Sequence, residues 1–272
     1  RRSVAADPWN QPSSRGVTEN DAPRSAAGRM FHWAGWSHLA ALATAATVIA
    51  ALWFTNKSLV ATNQQITLAQ QSQLSDRYGR AVDQLGSDKA DVRMGGIYSL
   101  EKLGKDSERD QPVVVQVLAA FVRNHAPMSA GCPHGLDHPL ASDVQAALTA
   151  LGRRDPGRDG GGRLDLSLTC LHNADLSGAR LAGADLSLSD LWNAQFTETD
   201  LSRAFIALTD ASDANFSDAN LTGANLPDTK LNRAMFSSAN LSDALLVNAD
   251  LTGTDLSSAT LTGADLTGAI GR

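Results

Sequence analysis

Side chains with reactive chemistry are few, and several fall in one short stretch. Cys132, His134 and His138 lie in CPHGLDH; with His125 or Cys170 as a fourth donor they would offer thiolate and imidazole, the ligands a tetrahedral zinc site prefers. Their spacing matches no standard finger, and a proline-rich loop with incidental histidines accounts for the same residues, so the expectation is no metal and no cofactor. Cys132 and Cys170 make no disulfide framework, and two thiols this far apart in sequence do not point to a redox compartment. Aspartate is abundant enough for paired-carboxylate acid–base work, but it recurs at a regular interval, which marks a repeated surface position instead of one site. No Ser/His/Asp constellation, phosphate-binding glycine loop or nucleotide fingerprint occurs in the strand and helix context it requires. The reading is of a protein that is not an enzyme and has no small-molecule substrate.

The aspartates belong to an acidic third of the chain. From Leu164 to Gly268 there are fourteen Asp/Glu against four Lys/Arg, so the rest of the 272 residues carries four net positive charges within the total of −6. Nucleic-acid affinity comes largely from Lys and Arg displacing counterions from phosphates, so direct nucleic-acid binding is not expected.

What positions these residues is a period of five. Every fifth residue from Leu166 to Leu266 gives twenty-one centres, twenty of them Leu, Ile or Phe, with Ala211 the exception. The residue two before each centre is Ala fourteen times and Ser or Thr six times, and the residue between is Asp or Asn thirteen times. At 3.6 residues per turn an α-helix would scatter these leucines over all its faces, and a flat strand would alternate them. A short extended segment followed by a corner keeps the small residue and the leucine inward and the Asp/Asn and Ser/Thr outward. Gly178, Gly183, Gly223, Gly253, Gly263 and Gly268 fall at that corner, where lack of a Cβ permits positive φ. Four corners close a square coil of twenty residues, and Phe196, Phe216 and Phe236 recur at that interval.

In this repeat the sequence resembles the pentapeptide-repeat family over roughly 164–270. The resemblance implies a right-handed quadrilateral β-helix, a mainly β solenoid with leucine or phenylalanine ladders inside. It also implies one function, since some members of the family imitate DNA and inhibit or modulate DNA gyrase.

Upstream, residues 1–29 mix Arg, Ser, Pro, Asp and Asn without periodicity and read as a disordered tail. The chain opens on Arg1 without a methionine, from which a segment further upstream is expected. Residues 30–56 contain no Asp, Glu, Lys or Arg, and 33–54 supply the ~20 apolar residues of a single membrane-spanning helix, with Trp33, Trp36 and Trp53 near its ends. A buried alanine-rich helix and a cleaved signal peptide are the competing readings. Residues 57–154 follow as a juxtamembrane helix ending near Gly86, a helix capped by Ser87 or Asp88, a third opening at Pro112 whose valine run also suits a strand, and a fourth from Ser142. Residues 155–163 form a glycine-rich linker and 164–270 the β-helix, preceded in this plan by the transmembrane helix and the small α-helical unit. SDRYGRAVDQLGSDKADVRMGGIYSLEKL and SDVQAALTALGRR resemble the region between anchor and repeats in membrane-linked members of the family. Arg24 and Arg29 before the apolar stretch against Lys57 after it favour an inside N-terminus by one charge, whereas the resemblance leans to cytoplasmic repeats, so orientation stays open.

Folding the repeat onto four faces lines up Leu168, Leu188 and Leu208 at one corner, with Phe205, Leu245 and Val247 flanking the centres of that face and Trp192 on the adjoining one. Such an apolar stripe on a polar rod marks a docking face, either for a protein partner or for the chain's own helices. The expectation is a noncatalytic scaffold tethered to a membrane, with gyrase-directed DNA mimicry as the alternative.

Overall fold

The computed structural model describes residues 34–128, 132 and 138–271. The expected tail, Trp33 and His134 lie outside the described residues. The chain divides into two compact units, 1–63 and 64–272.

The first unit contributes most of the apolar part of α1, Ala34–Leu85. This is the one described helix long and apolar enough to cross a membrane, with a mean hydropathy of 1.6 in its most apolar stretch and none of that stretch buried. Leu42, Ile49, Leu52 and Phe54 are all at least 65% exposed, which is an unfavourable surface to leave in water. Thr44 and Thr55 return their hydroxyls to the carbonyls four residues back, so their polarity is satisfied within the helix. The apolar stretch and the segment expected as a juxtamembrane helix form one element: α1 runs through Lys57 without interruption, because no Gly or Pro stands between Ala34 and Tyr78 except Gly35 in its first turn.

In the second unit the last turns of α1 pack with α2 (Ala90–Asp106), α3 (Gln111–His125) and α4 (Ser142–Gly152). Ala81, Leu85, Ile97, Leu100, Leu118, Val122, Leu148 and Leu151 are buried at their centre. Gly96 permits the close approach of α2 to α1, since a Cβ there would stand 2.7 Å from the Ala81 carbonyl oxygen. The N-cap of α2 is Lys89, not Ser87 or Asp88; the Ser87 hydroxyl accepts the Lys89 amide at 3.2 Å and so shapes the turn just before the helix. The valine run is helical, with Pro112 in its first turn, where a missing N–H costs nothing. Arg93 ties α2 to α4 through a 2.6 Å ion pair with the buried Asp143 carboxylate.

The connection expected as a glycine-rich linker, 155–163, is mostly exposed and is anchored at one buried residue, Asp159. It forms a short 3-10 turn at Pro156–Arg158, and the buried Arg154 and Asp159 meet at 2.7 Å. Gln111 reaches the Asp159 carboxylate at 2.8 Å and the Arg154 guanidinium reaches the Arg180 carbonyl at 2.8 Å, so α3, α4 and the first coil share one network.

From residue 164 the chain winds in coils of twenty. Each coil meets the next through parallel bridges between residues twenty apart, as in Asp165–Asp185, Cys170–Asp190, Asp175–Gln195 and Arg180–Asp200. These are isolated bridges; no continuous strand forms among the described residues, because a corner interrupts pairing every five residues. The centres from Leu166 to Leu251 are buried, and Phe196, Phe216 and Phe236 stack with ring centroids 4.8 Å apart, the rise between coils. Corner residues take positive φ throughout, glycines and non-glycines alike. The helices cover the first coil: the Arg180 amide donates to the Gly152 carbonyl at 2.9 Å, and the Gln145 side chain exchanges two hydrogen bonds with the Asp175 backbone. This is the sealing that a solenoid end requires.

Candidate docking face

The corner bearing Leu168, Leu188 and Leu208 is built differently from the others. Elsewhere the amide of the inner residue closes a turn onto the preceding centre, as Ala174 to Leu171, Ala179 to Leu176 and Ala184 to Leu181, each at 3.0 Å. At this corner the inner residues are Thr169, Ser189, Thr209 and Thr229, all buried, and their hydroxyls serve the carbonyls instead: Ser189 to Leu166 at 3.1 Å, Thr209 to Leu186 at 3.0 Å, Thr229 to Ile206 at 2.7 Å. A hydroxyl from one coil thus caps a carbonyl of the coil before, stapling the two together; Thr199 to Leu176 at 2.7 Å and Thr254 to Leu231 at 2.8 Å do the same in other columns, so what sets this corner apart is that the inner amides do not close the turn.

Outside, Leu168, Leu188 and Leu208 are 55%, 44% and 58% exposed and hold φ between 56° and 59°. Positive φ crowds the Cβ of a leucine against its own backbone, whereas Asp228, Asn248 and Gly268, lower in the same column, are residue types that accept it. Phe205 is half-buried with the Arg163 guanidinium 3.9 Å above its ring; Leu245 is exposed and Val247 half-buried along the same face. Trp192 stands half-buried on the adjoining face, its indole N–H donating to Asp213 at 2.9 Å. The six residues from Leu168 to Val247 therefore share one face, with Trp192 beside it.

At the head of the face a cleft of about 450 Å³ is lined by Arg123, Pro127, Met128, Ser167 and Leu168. Burial pushes the Asp165 carboxyl up, but the Ser167 hydroxyl and amide together with Arg123 and Arg163 outweigh it and hold Asp165 below the ordinary carboxylate range. This end is consequently charge-paired, with Arg123 3.3 Å from Asp165 and Arg163 3.7 Å from Asp185.

Cys132 and Cys170 are bonded to each other, so neither thiolate is free for zinc. His125 stacks on Phe121, and the His138 carbonyl lies 3.1 Å from His172 Nε2. No group of three or more His, Cys, Asp or Glu among the described residues is arranged to hold a metal. The disulfide and the hydroxyl staple were missed by sequence reasoning. The staple had a signal, since Thr169, Ser189, Thr209 and Thr229 are twenty apart; the disulfide had none, because the loop before Cys132 has no period.

The family model for pentapeptide repeats matches eight copies at residues 165–205, 209–237 and 234–270. Solved structures similar to this chain include the pentapeptide repeat protein Rfr23 from the cyanobacterium Cyanothece, 28% identical, covering 43% of this chain and 69% of that one with a TM-score of 0.32. HetL, a pentapeptide repeat protein involved in heterocyst differentiation regulation in the cyanobacterium Nostoc, is 27% identical over 40% of this chain and 78% of its own, TM-score 0.19. QnrB1, a plasmid-mediated fluoroquinolone resistance protein, is 26% identical over 37% and 59%, TM-score 0.22. A comparison with curated proteins finds no match. The five-residue unit, the twenty-residue coil and the eight matched copies together identify residues 165–270 as pentapeptide repeats.

Proposed function

We propose that this protein is a noncatalytic, membrane-tethered interaction scaffold that presents its β-helix to a protein partner. In this reading residues 1–29 are a tail, 30–56 span the membrane, 57–154 form the juxtamembrane helix and helical unit, 155–163 connect, and 164–270 are the rod. The carrying observation is the column Leu168, Leu188 and Leu208, exposed and at positive φ. Each leucine there costs on the order of 1–2 kcal/mol of backbone strain without gaining full burial, an arrangement that favours contact over stability. The unburied apolar length of α1 supports the tether, since lipid is the solvent that suits such a surface.

The test is proximity labelling from the full chain in its native membrane, comparing wild type with Leu188→Asn plus Leu208→Asn. Asparagine accepts positive φ, so the rod keeps its fold. Loss of a specific protein set establishes docking on this face; an unchanged set removes it.

A second reading, mimicry of DNA toward gyrase, draws on the excess of fourteen acidic over four basic residues in the repeats. Mimicry requires the detergent-purified chain to alter gyrase supercoiling at stoichiometric concentration, and unaltered supercoiling eliminates it.

A further inference from the structure

Beyond α3 the chain lies against the first coil. The Cys170 amide donates to the Ala126 carbonyl at 2.8 Å, the Met128 amide donates to the Leu168 carbonyl at 3.0 Å, and Pro127 bridges Thr169 in antiparallel sense. The Cα atoms of Cys132 and Cys170 lie 5.6 Å apart, within the span a disulfide needs. Backbone hydrogen bonds hold Ala126 and Met128 against the strip that contains Cys170, four residues short of Cys132. Cys170 is 7% exposed, so the bond, once formed, is shielded on that side.

We propose that Cys132–Cys170 is a covalent modification of the mature protein, and that it assigns the β-helix to the oxidising side of the membrane. The assignment of side rests on the tethered reading above. Forming the bond joins the two sulfurs and releases two protons and two electrons; the electrons pass to the disulfide of a thiol–disulfide exchange partner, which leaves as a dithiol. Structural disulfides persist in extracytoplasmic compartments and are reduced in the cytosol. A separate property of the chain points the same way: Arg24 and Arg29 before the span outnumber Lys57 after it by one charge, which favours a cytoplasmic N-terminus with the repeats on the far side. Neither argument uses the other's residues, and together they oppose the cytoplasmic placement expected from the resemblance.

The test uses the full chain carrying Thr262→Cys, an exposed position on the last coil, in its native membrane. Thiols are trapped by acid quenching and counted with a polyethylene-glycol maleimide before and after reduction. The expected result is one adduct before reduction and three after, with a membrane-impermeant maleimide reaching the introduced thiol in sealed right-side-out vesicles. Three adducts before reduction overturn the cross-link. Labelling only after permeabilisation overturns the assignment of side. Release of the chain by alkaline carbonate refutes the tether, and the side with it, while the adduct count still decides the cross-link.

Discussion

Thr209 and Leu208 are neighbours in sequence with opposite duties. The Thr209 hydroxyl, buried, satisfies the Leu186 carbonyl of the coil before, while Leu208 projects outward from a left-handed backbone. Replacing Thr209 by valine keeps shape and removes the donor, so detergent-solubilised protein should lose about 1–3 kcal/mol in urea denaturation, the cost of an unsatisfied buried polar group. Leu208→Asn should move the midpoint the other way, with a gain up to about 1 kcal/mol as positive φ becomes acceptable. If both variants shift stability in the same direction, the division of labour at this corner is wrong. Sequence patterning placed the leucines at the corner but treated the inner threonines only as small residues, because a five-residue unit read alone hides what stacks twenty residues away.

At the scale of the coil, the outward aspartates are structural. Asp165, Asp175, Asp185, Asp200 and Asp210 each accept the amide of the residue two further on, an Asx turn repeated around the rod. Several are held below the ordinary carboxylate range. Burial raises Asp210, but the Ser212 hydroxyl and amide and Lys230 outweigh it; the Arg233 hydrogen bond leads for Asp213, the Thr252 hydroxyl for Asp250, the Ser257 amide for Asp255 and the Thr267 hydroxyl for Asp265. A depressed folded-state pKa contributes stability that is present above the unfolded value, about 3.9 for aspartate, and is lost as pH falls through the folded value. Thermal unfolding of the β-helix should therefore be insensitive to these groups from neutrality to about pH 4 and drop below it. A midpoint unchanged in more acidic solution would show that the ladder contributes no stability.

Over the second unit, the helices act as a cap on the solenoid, joined to it by backbone pairing, the Arg154–Asp159 network and the disulfide. The two cysteines are separated by 38 residues in sequence. Closing a loop of that size removes unfolded-state entropy worth about 4 kcal/mol, so Cys170→Ser should lower stability by about that amount. Calorimetry of the oxidised wild type against this variant measures it. Reduced wild type should match the variant; a large difference between them would mean that the serine itself, and not the lost bond, perturbs the first coil.

By itself the sequence determined the repeat, its inward and outward positions, the twenty-residue coil, the leucine column and the apolar stretch of α1, because each follows from local geometry at a fixed period. The tertiary structure alone decided what depends on contacts distant in the chain. Cys132 meets Cys170 just beyond the place where the segment after α3 pairs with the first coil. The glycine-rich connection is ordered because Arg154 and Asp159 find each other beneath α3. The hydroxyls of Ser189, Thr209 and Thr229 become staples only when one coil is laid on another. A buried polar group must find a partner, and which partner it finds depends on stacking distances that no local pattern encodes.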